Sequence, residues 1–188
     1  MKDPKHKLPL TDASWTLFLD RDGVINQDNI NGYILTWKEF QFNPGVLEAM
    51  PLLSRLFQRI VVITNQRGVG KGLMTLTALQ HIHTQMTEEI VRRGGRIDQV
   101  YFCTALENEH PDRKPNPGMA LQAKHDFPEI DFSKTIMVGN TRSDMEFGRT
   151  IGAYTVYIHN REDKIPAANS IDAEYDGLLS MAMALANR

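Results

Sequence analysis

Short unbroken runs of apolar residues alternate along the chain with longer stretches in which apolar residues recur every three or four positions. An unbroken apolar run predicts a strand that is buried on both faces of a sheet. The predicted strands are 15–20, 59–65, 94–104, 135–140 and 153–160.

The stretches between these runs predict helices, because their apolar residues have helical spacing. The predicted helices are 43–57, 75–93, 116–127, 143–152 and a terminal helix from Gly177. Strands that alternate with helices are typical of a mostly parallel sheet covered on both faces, so we expect an α/β, Rossmann-like doubly wound fold of three layers. Residues 31–42 are aromatic and rich in turn formers, and predict a loop or a short hairpin.

The chain has 188 residues, of which 41% are hydrophobic and 23% charged, and this suits one domain with a substantial core. No internal repeat, linker or change of composition indicates a second domain. We therefore expect a flexible N-terminal arm over 1–14 and a single domain over 15–188.

Composition also limits which binding partners and which cellular compartment we expect for the protein. A net charge of −2 gives no reason to expect binding to nucleic acid or to an anionic membrane. The single cysteine, Cys103, excludes an intramolecular disulfide and a cysteine-rich zinc site. Residues 1–10 lack the apolar core of a signal peptide, and no apolar run approaches the ~20 residues that span a bilayer. We expect a cytoplasmic protein.

Conspicuous polar residues follow three of the predicted strands. They are 20–23 after the first strand, 64–66 after the second, and 139–140 after the fourth, with Asp144 shortly beyond. Ligands of open α/β sheets bind outside the carboxyl ends of the strands, which lie on one edge when the strands are parallel. The sequence therefore predicts one cleft at this edge, and the segment after the third predicted strand can bring Lys114 to it.

Asp20 and Asp22 are two positions apart in extended chain, so we expect both to face one ligand while Arg21 points elsewhere. A hard divalent cation such as Mg²⁺ would relieve their repulsion. Asp20 could then attack phosphorus, as carboxylates do in aspartyl-phosphate enzymes. Asp22 could protonate the leaving oxygen and later activate water.

Other polar residues at the predicted cleft suit a phosphate ligand. Thr64, Asn65 and backbone N–H groups could hold phosphate oxygens, and Lys114 could neutralise charge in the transition state. Two other motifs are excluded. A P-loop would need glycine at Asn65 and a hydroxyl at Gly72, and an EF-hand would need different residues at 24–25.

Four motifs resemble those of the haloacid dehalogenase superfamily of phosphatases, and in particular its heptose-bisphosphate and histidinol-phosphate phosphatases. Residues 18–26, FLDRDGVIN, resemble the first motif, hhhDxDG. Residues 61–72, VVITNQRGVGKG, are similar to the second motif and its loop. Residues 112–119, DRKPNPGM, resemble the lysine motif, and 136–148, IMVGNTRSDMEFG, the fourth. The order of the motifs on the predicted strands is that of the family.

The resemblance implies roles for these residues. Asp20 would be the nucleophile and Asp22 the general acid and base, and Thr64 and Lys114 would contact the phosphate. The other residues expected to contact the substrate are Gly23, Asn65, Gln66 and Arg113. It also implies a small enzyme that has no large cap domain and acts alone, as a monomer, on a small phosphorylated metabolite.

The implied metal is Mg²⁺, held by Asp20, the backbone carbonyl of Asp22 and the fourth motif. That motif usually begins Gly-Asp, whereas this chain has Asn140, whose neutral oxygen binds Mg²⁺ more weakly. Asp144 would compensate, directly or through a water. Many relatives also carry a Cys-and-His zinc loop before the lysine motif. This chain keeps only Cys103 and His110 of it, so we expect no structural zinc.

The leading hypothesis is thus a Mg²⁺-dependent phosphatase of a small metabolite, such as D-glycero-D-manno-heptose 1,7-bisphosphate. A non-catalytic phosphate-binding module is the second hypothesis, because Asn140 weakens the metal site. Histidinol-phosphate and nucleic-acid-end phosphatases are further alternatives, although the acidic net charge disfavours the last. His81 and His83 are interpreted as solvated or packing residues, and Ser143 as a helix cap.

Overall fold

The structure of the chain, a computed structural model, describes residues 8–29, 31–159 and 167–187. Residues 1–7 of the predicted arm therefore lie outside the described residues. Leu8, the first described residue, is buried against the hydrophobic core. In the described part of the chain, no helix is long and apolar enough to cross a membrane.

The described strands lie in one parallel sheet. They are β1 (Thr16–Leu19), β2 (Arg59–Asn65), β3 (Gln99–Cys103), β4 (Thr135–Gly139), β5 (Tyr154–Ile158) and β6 (Ala173–Tyr175). Their order is β3-β2-β1-β4-β5-β6, so the chain builds outward from β1 in one direction and then returns to add β4 on its other side. This order is that of a doubly wound sheet, and it confirms the predicted fold class.

Helices follow the strands as predicted. They are α1 (Val46–Leu56), α2 (Arg67–Gly70), α3 (Leu76–Arg92), α4 (Gly118–Asp126), α5 (Arg142–Ile151) and α6 (Leu178–Ala186). Residues 31–42 form a loop around a short 3-10 turn at Trp37–Glu39 rather than a hairpin. The helix α2 and the strand β6 were not predicted from the sequence. The reason is that α2 lies within the glycine-rich stretch and β6 lacks the apolar run of the other strands.

The sheet separates two hydrophobic clusters. Successive residues of β1 point to opposite faces, so Leu17 and Leu19 belong to one cluster and Phe18 to the other. The first cluster includes buried residues of α1, α3 and α6, and the second includes buried residues of α4 and α5. The unbroken apolar runs are thus explained, because the central strands are covered on both faces.

The topology reverses between β1 and β4, which are hydrogen-bonded neighbours in register from Thr16 with Thr135 to Leu19 with Val138. A crevice opens at such a switch point, beyond the carboxyl ends of the two strands. Asp20 directly follows β1, and residues 140–144 directly follow β4. The fold therefore places the first and fourth motifs side by side.

Candidate active site

A cavity of about 230 Å³ lies at the carboxyl ends of β1, β2 and β4. Seven of the predicted site residues line it: Asp20, Asp22, Thr64, Asn65, Gln66, Lys114 and Asp144. They come from four separate segments of the chain, as expected for parallel strand ends. Gly23, Arg113 and Asn140 are not among the residues that line the cavity.

A larger groove of about 750 Å³ lies elsewhere, between α3 and β3, and is lined by residues such as Thr84, Val91 and Val100. It has neither paired carboxylates nor a buried lysine. The smaller cavity is therefore the candidate for phosphate chemistry.

A buried lysine joins two buried carboxylates at the centre of the cavity. The Lys114 Nζ donates to Asp20 Oδ1 at 2.8 Å, to Asp144 Oδ1 at 2.6 Å and to the Ile63 carbonyl at 2.7 Å. Burial alone would lower the pKa of Lys114, but Asp144 and Asp20 raise it above its usual range, so the ammonium stays charged. Burial, and then the Asp144 carboxylate, raise the pKa of Asp20 to about 7.

The Lys114 backbone is fixed by the end of β2. Asn65 Nδ2 donates to the Lys114 carbonyl at 3.1 Å, and the Lys114 N–H donates to Asn65 Oδ1 at 3.0 Å. This reciprocal pair ties the lysine motif to the second motif. The Asn65 amide, predicted to contact phosphate, is thus occupied in placing the lysine.

Asp22 is held by donors from three residues. Arg21 contacts both of its oxygens, with Nη2 at 2.8 and 2.9 Å and Nε at 3.1 Å from Oδ1. Asn26 Nδ2 donates to Oδ1 at 2.9 Å, and Gln66 Nε2 donates to Oδ2 at 2.8 Å. Burial alone would raise the pKa of Asp22, but the Arg21 charge and these hydrogen bonds lower it below its usual range.

Arg21 does not line the cavity that Asp20 and Asp22 face, which agrees with the expectation that it points elsewhere. The side chain of Arg21 is fully buried, and its guanidinium folds back onto the neighbouring carboxylate. Strand alternation does not apply at this position, because β1 ends at Leu19 and the chain already turns at Arg21, whose carbonyl accepts from the Ile25 N–H. Asp20 and Asp22 nevertheless line the same cavity.

Gln66 also orients the hydroxyl group of Thr64. Its Nε2 donates to Thr64 Oγ1 at 3.0 Å, so the hydroxyl oxygen is already an acceptor. The Thr64 hydroxyl hydrogen is then available for an anion in the cavity. Gln66 therefore links the side chains of Thr64 and Asp22.

The start of α5 places Asp144. The N-cap is Thr141 rather than the predicted Ser143, and Asp144 closes a capping box with Thr141. Gly139 must lack a side chain, because a Cβ there would lie 2.2 Å from Asp144 Cβ. The Asn140 side chain lies against Gly23, where a Cβ would lie 1.9 Å from Asn140 Nδ2.

Known proteins resemble most of this chain in sequence. Residues 112–172 match the family model described as HAD-hydrolase-like. The D-glycero-alpha-D-manno-heptose-1,7-bisphosphate 7-phosphatase of Mycobacterium bovis is 32% identical over 173 residues, which cover 91% of each chain. This chain belongs to the haloacid dehalogenase (HAD) superfamily. It is a HAD phosphatase, a phosphoric monoester hydrolase, as the four motifs predicted.

One further relative and one solved structure are similar to this HAD phosphatase. The D-glycero-beta-D-manno-heptose-1,7-bisphosphate 7-phosphatase of Vibrio cholerae is 35% identical over 151 residues, covering 76% of this chain and 80% of that one. The crystal structure of D,D-heptose 1,7-bisphosphate phosphatase from B. bronchiseptica, complexed with magnesium and phosphate, superposes with a TM-score of 0.84. It is 25% identical and covers 92% of this chain and 98% of its own.

The donor set of the HAD phosphatase suits a hard cation. Asp20 and Asp144 are buried carboxylates that share Lys114, and the repulsion between them contributes to the raised pKa of Asp20. A divalent cation beside them would offset that repulsion and receive the oxygen ligands that Mg²⁺ prefers. The described residues contain no cluster of three His, Cys, Asp or Glu side chains with metal-binding geometry, so the remaining ligands would be neutral oxygens or water.

Cys103 and His110 of the shortened loop lie together. Cys103 Sγ is 3.8 Å from His110 Nδ1, which also accepts from the Asp112 N–H at 3.2 Å. Burial raises the pKa of the Cys103 thiol. His110 is thus engaged in holding the backbone of the loop that leads to Lys114.

A cationic rim, consisting of Arg67, Lys71 and Arg113, lies beside the cavity residue Tyr33 of the HAD phosphatase. Lys71 Nζ is 5.1 Å from the centroid of the Tyr33 ring. Burial, and then the charge of Arg67, lower the pKa of Arg113. Among the described residues, Arg113 donates only to neutral oxygens, of Asn108 and Ala105.

The rim has no carboxylate partner in the part of the chain that the structure describes. The buried Nε of Arg67 also lacks a hydrogen-bond partner there. Two guanidinium groups that repel each other without a counter-ion favour the binding of an anion.

Seven residues that line the cavity were not predicted as site residues: Asp28, Asn29, Gly32, Tyr33, Ile34, Thr141 and Ser143. Arg21, His83 and Arg67 were not among the predicted site residues either. His83 Nε2 contacts Arg21 Nη1 at 3.2 Å, and burial, followed by the Arg21 charge, lowers the pKa of His83 to about 3. A signal for His83 did exist, since it falls on the apolar stripe of α3 with Leu79 and Met86. No comparable signal marks Arg21 or Arg67.

Proposed function

We propose that this HAD phosphatase is Mg²⁺-dependent and hydrolyses a sugar bisphosphate, D-glycero-D-manno-heptose 1,7-bisphosphate, through an aspartyl-phosphate on Asp20. The observation that carries the proposal is the buried Asp20–Lys114–Asp144 unit, which faces a cavity that Asp22 and Thr64 also line. A nucleophile, a cation and a proton-transfer group thereby surround one small space. The heptose bisphosphate is suggested by the names of the relatives.

The chemistry follows from groups that face the cavity. The Asp20 carboxylate attacks phosphorus and forms an acyl phosphate as the ester P–O bond breaks. Thr64 donates its hydroxyl hydrogen to a phosphate oxygen, and Lys114 offsets negative charge. The charge of the bound phosphate raises the pKa of Asp22 towards protonation. Asp22 protonates the departing oxygen and then takes a proton from the water that cleaves the acyl phosphate.

The metal ligands in this proposal are Asp20 and Asp144, with the backbone carbonyl of Asp22 and the amide oxygen of Asn140. Bound Mg²⁺ would supply charge neutralisation for the phosphate oxygens. Asp20 must be ionised both to bind the cation and to attack. Its raised pKa therefore predicts that proton loss from Asp20 accompanies Mg²⁺ binding near neutral pH.

Mg²⁺ is expected to stabilise the fold, most strongly above the pKa of Asp20. At about 100 times its Kd the ion should add about 2.7 kcal/mol to the free energy of unfolding, and less at about pH 5, where protons compete for Asp20.

Asn140→Asp should lower the Mg²⁺ concentration needed for half of this effect about tenfold, because it adds a charged oxygen. Thermal unfolding against Mg²⁺ measures both effects. An unchanged requirement would mean that residue 140 is not a ligand.

The cationic rim favours a substrate with two phosphate groups. One phosphate would occupy the cavity at Asp20, and the second would meet Arg67, Lys71 and Arg113 beside Tyr33. Charge-assisted hydrogen bonds to the second phosphate would also satisfy the Arg67 Nε.

Arg67→Gln is therefore expected to raise KM for the bisphosphate about tenfold and to leave KM for the matching monophosphate unchanged. Steady-state kinetics with both substrates measure the difference. Arg55→Gln, an exposed arginine of α1, is the matched control. Equal KM changes for the two substrates would contradict the second-phosphate role.

A substrate panel tests the function itself. It contains the alpha and beta anomers of the heptose 1,7-bisphosphate, because the relatives are named for both, together with histidinol phosphate and nucleic acids with terminal phosphates. We expect phosphate release to be fastest with one of the two bisphosphates. Folded protein that releases no phosphate from any of them would contradict the proposal.

A further inference from the structure

The guanidinium of Arg21 lies wholly inside the protein, directly behind the general acid and base of the proposed mechanism. Its side chain has no solvent exposure. A buried cation is costly unless its charge and its N–H groups have partners. Nε and Nη2 find theirs on Asp22, and Nη1 finds His83 Nε2 at 3.2 Å.

His83 is suited to be the acceptor for Nη1. The guanidinium can only donate, so the Nε2 of His83 must carry the lone pair, which requires a neutral imidazole. The residue lies on the buried face of α3, and its ring packs on Phe102 with a centroid separation of 5.5 Å. The helix and the strand beneath it therefore hold the imidazole in place.

Both the position and the rotation of the Asp22 carboxylate are consequently fixed. Three donors reach Oδ1, two from Arg21 and one from Asn26, and two donors reach Oδ2, from Arg21 and Gln66. A bidentate contact with arginine fixes both the position and the rotation of a carboxylate. The plane of such a fixed group needs no reorientation at the cavity wall, and Oδ2 can carry the proton once Gln66 Nε2 donates to Thr64 Oγ1 alone.

We propose that Arg21 and His83 are positioning residues: they form a chain from α3 that orients Asp22 towards the leaving group of the substrate. This inference rests on the proposed function, in which Asp22 protonates the departing oxygen. Neither residue touches the substrate. Their effect therefore depends on how much protonation the leaving group needs.

Two phosphate esters separate this role from a general loss of structure. An alkyl ester, such as a sugar phosphate, leaves as a basic alkoxide and needs the proton, whereas p-nitrophenyl phosphate leaves as a stable phenolate and does not. The quantity compared is kcat/KM, which ends at the first irreversible step and so excludes hydrolysis of the aspartyl-phosphate. Arg21→Met is expected to lower kcat/KM about 100-fold for the alkyl ester and less than about fivefold for the aryl ester.

His83 provides a second, milder pair of variants. His83→Leu removes the acceptor and should lower kcat/KM for the alkyl ester about tenfold, while His83→Gln keeps an acceptor and should restore most of it. His81→Leu, on the exposed face of the same helix, should change neither ester. Thermal unfolding of each variant accompanies the kinetics.

Asp22→Asn is the reference for the acid itself. If it shows the alkyl-selective loss and Arg21→Met shows the same loss, with no further decrease in the double variant, the inference is supported. If Asp22→Asn shows that loss but the Arg21 and His83 variants lower both esters equally, the positioning role is overturned and the proposed mechanism survives. If Asp22→Asn shows no selectivity, or the unaltered protein hydrolyses neither ester, the mechanism fails and the inference falls with it.

Discussion

Asp20→Asn is expected to lower kcat/KM for phosphate release at least about 1,000-fold, because an amide oxygen cannot form the acyl phosphate. The same substitution should not unfold the protein. The pKa of Asp20 is raised to about 7, so its ionised form opposes folding and a neutral amide of the same shape removes that opposition. Activity and stability therefore change independently.

The pH dependence of stability gives a second readout of the same variant. Without Mg²⁺, folded Asp20 holds its proton up to about pH 7, whereas the unfolded residue loses it near its ordinary pKa of 3.8. The folded state binds more protons across that window, so the free energy of unfolding should fall as pH rises through it. Asp20→Asn should flatten this slope.

Chemical denaturation in a chelating buffer measures the slope at several pH values. Asp176→Asn, an exposed aspartate away from the cavity, controls for the loss of a charge. A variant that kept a tenth or more of the activity would rule out Asp20 as the nucleophile.

Hydrophobic patterning was sufficient for the central architecture. The runs of β1, β2 and β4 are buried on both faces, and their central residues, 17–19, 60–63 and 136–138, include no polar side chain to obscure the pattern. The edge strand β6 has only three residues, Ala173–Tyr175, two of them half-buried, so its sequence differs little from a loop. Short elements depend on tertiary contacts that a local pattern does not contain.

Motif order and strand-end position brought seven predicted residues to one cavity, because the parallel topology places the ends of β1, β2 and β4 at one edge. Lys114 reaches that edge from the segment after β3, where Asn65 holds its backbone. The contacts between side chains at the cavity could not be predicted from the sequence. The contact between Arg21 and Asp22 arises from a turn after β1, and the proximity of Arg67 to Arg113 brings the start of α2 close to the loop before α4. The use of Asn65 to hold the Lys114 backbone likewise depends on side-chain direction, which no motif specifies.

Lys114→Met is expected to lower both stability and activity, and its effect on stability should be the largest among these variants. The ammonium lies between Asp20 and Asp144, all three groups are buried, and methionine keeps the volume of the stem without the charge. Removing one partner of a buried ionic cluster leaves the other charges uncompensated and costs about 3–5 kcal/mol. We expect that loss in the free energy of unfolding at about pH 8 without Mg²⁺, measured by denaturant titration.

The loss should shrink at about pH 5, because protonation of Asp20 leaves one fewer uncompensated carboxylate. Mg²⁺ should restore part of the stability, since it supplies positive charge to the same carboxylates, but kcat should remain about 100-fold to 1,000-fold lower because the ammonium no longer offsets charge on the phosphoryl group. Lys38→Met, an exposed lysine, is the control. A variant as stable as the unaltered protein at the higher pH would show that the two carboxylates do not depend on Lys114, and the shared-cation description of the cavity would be wrong.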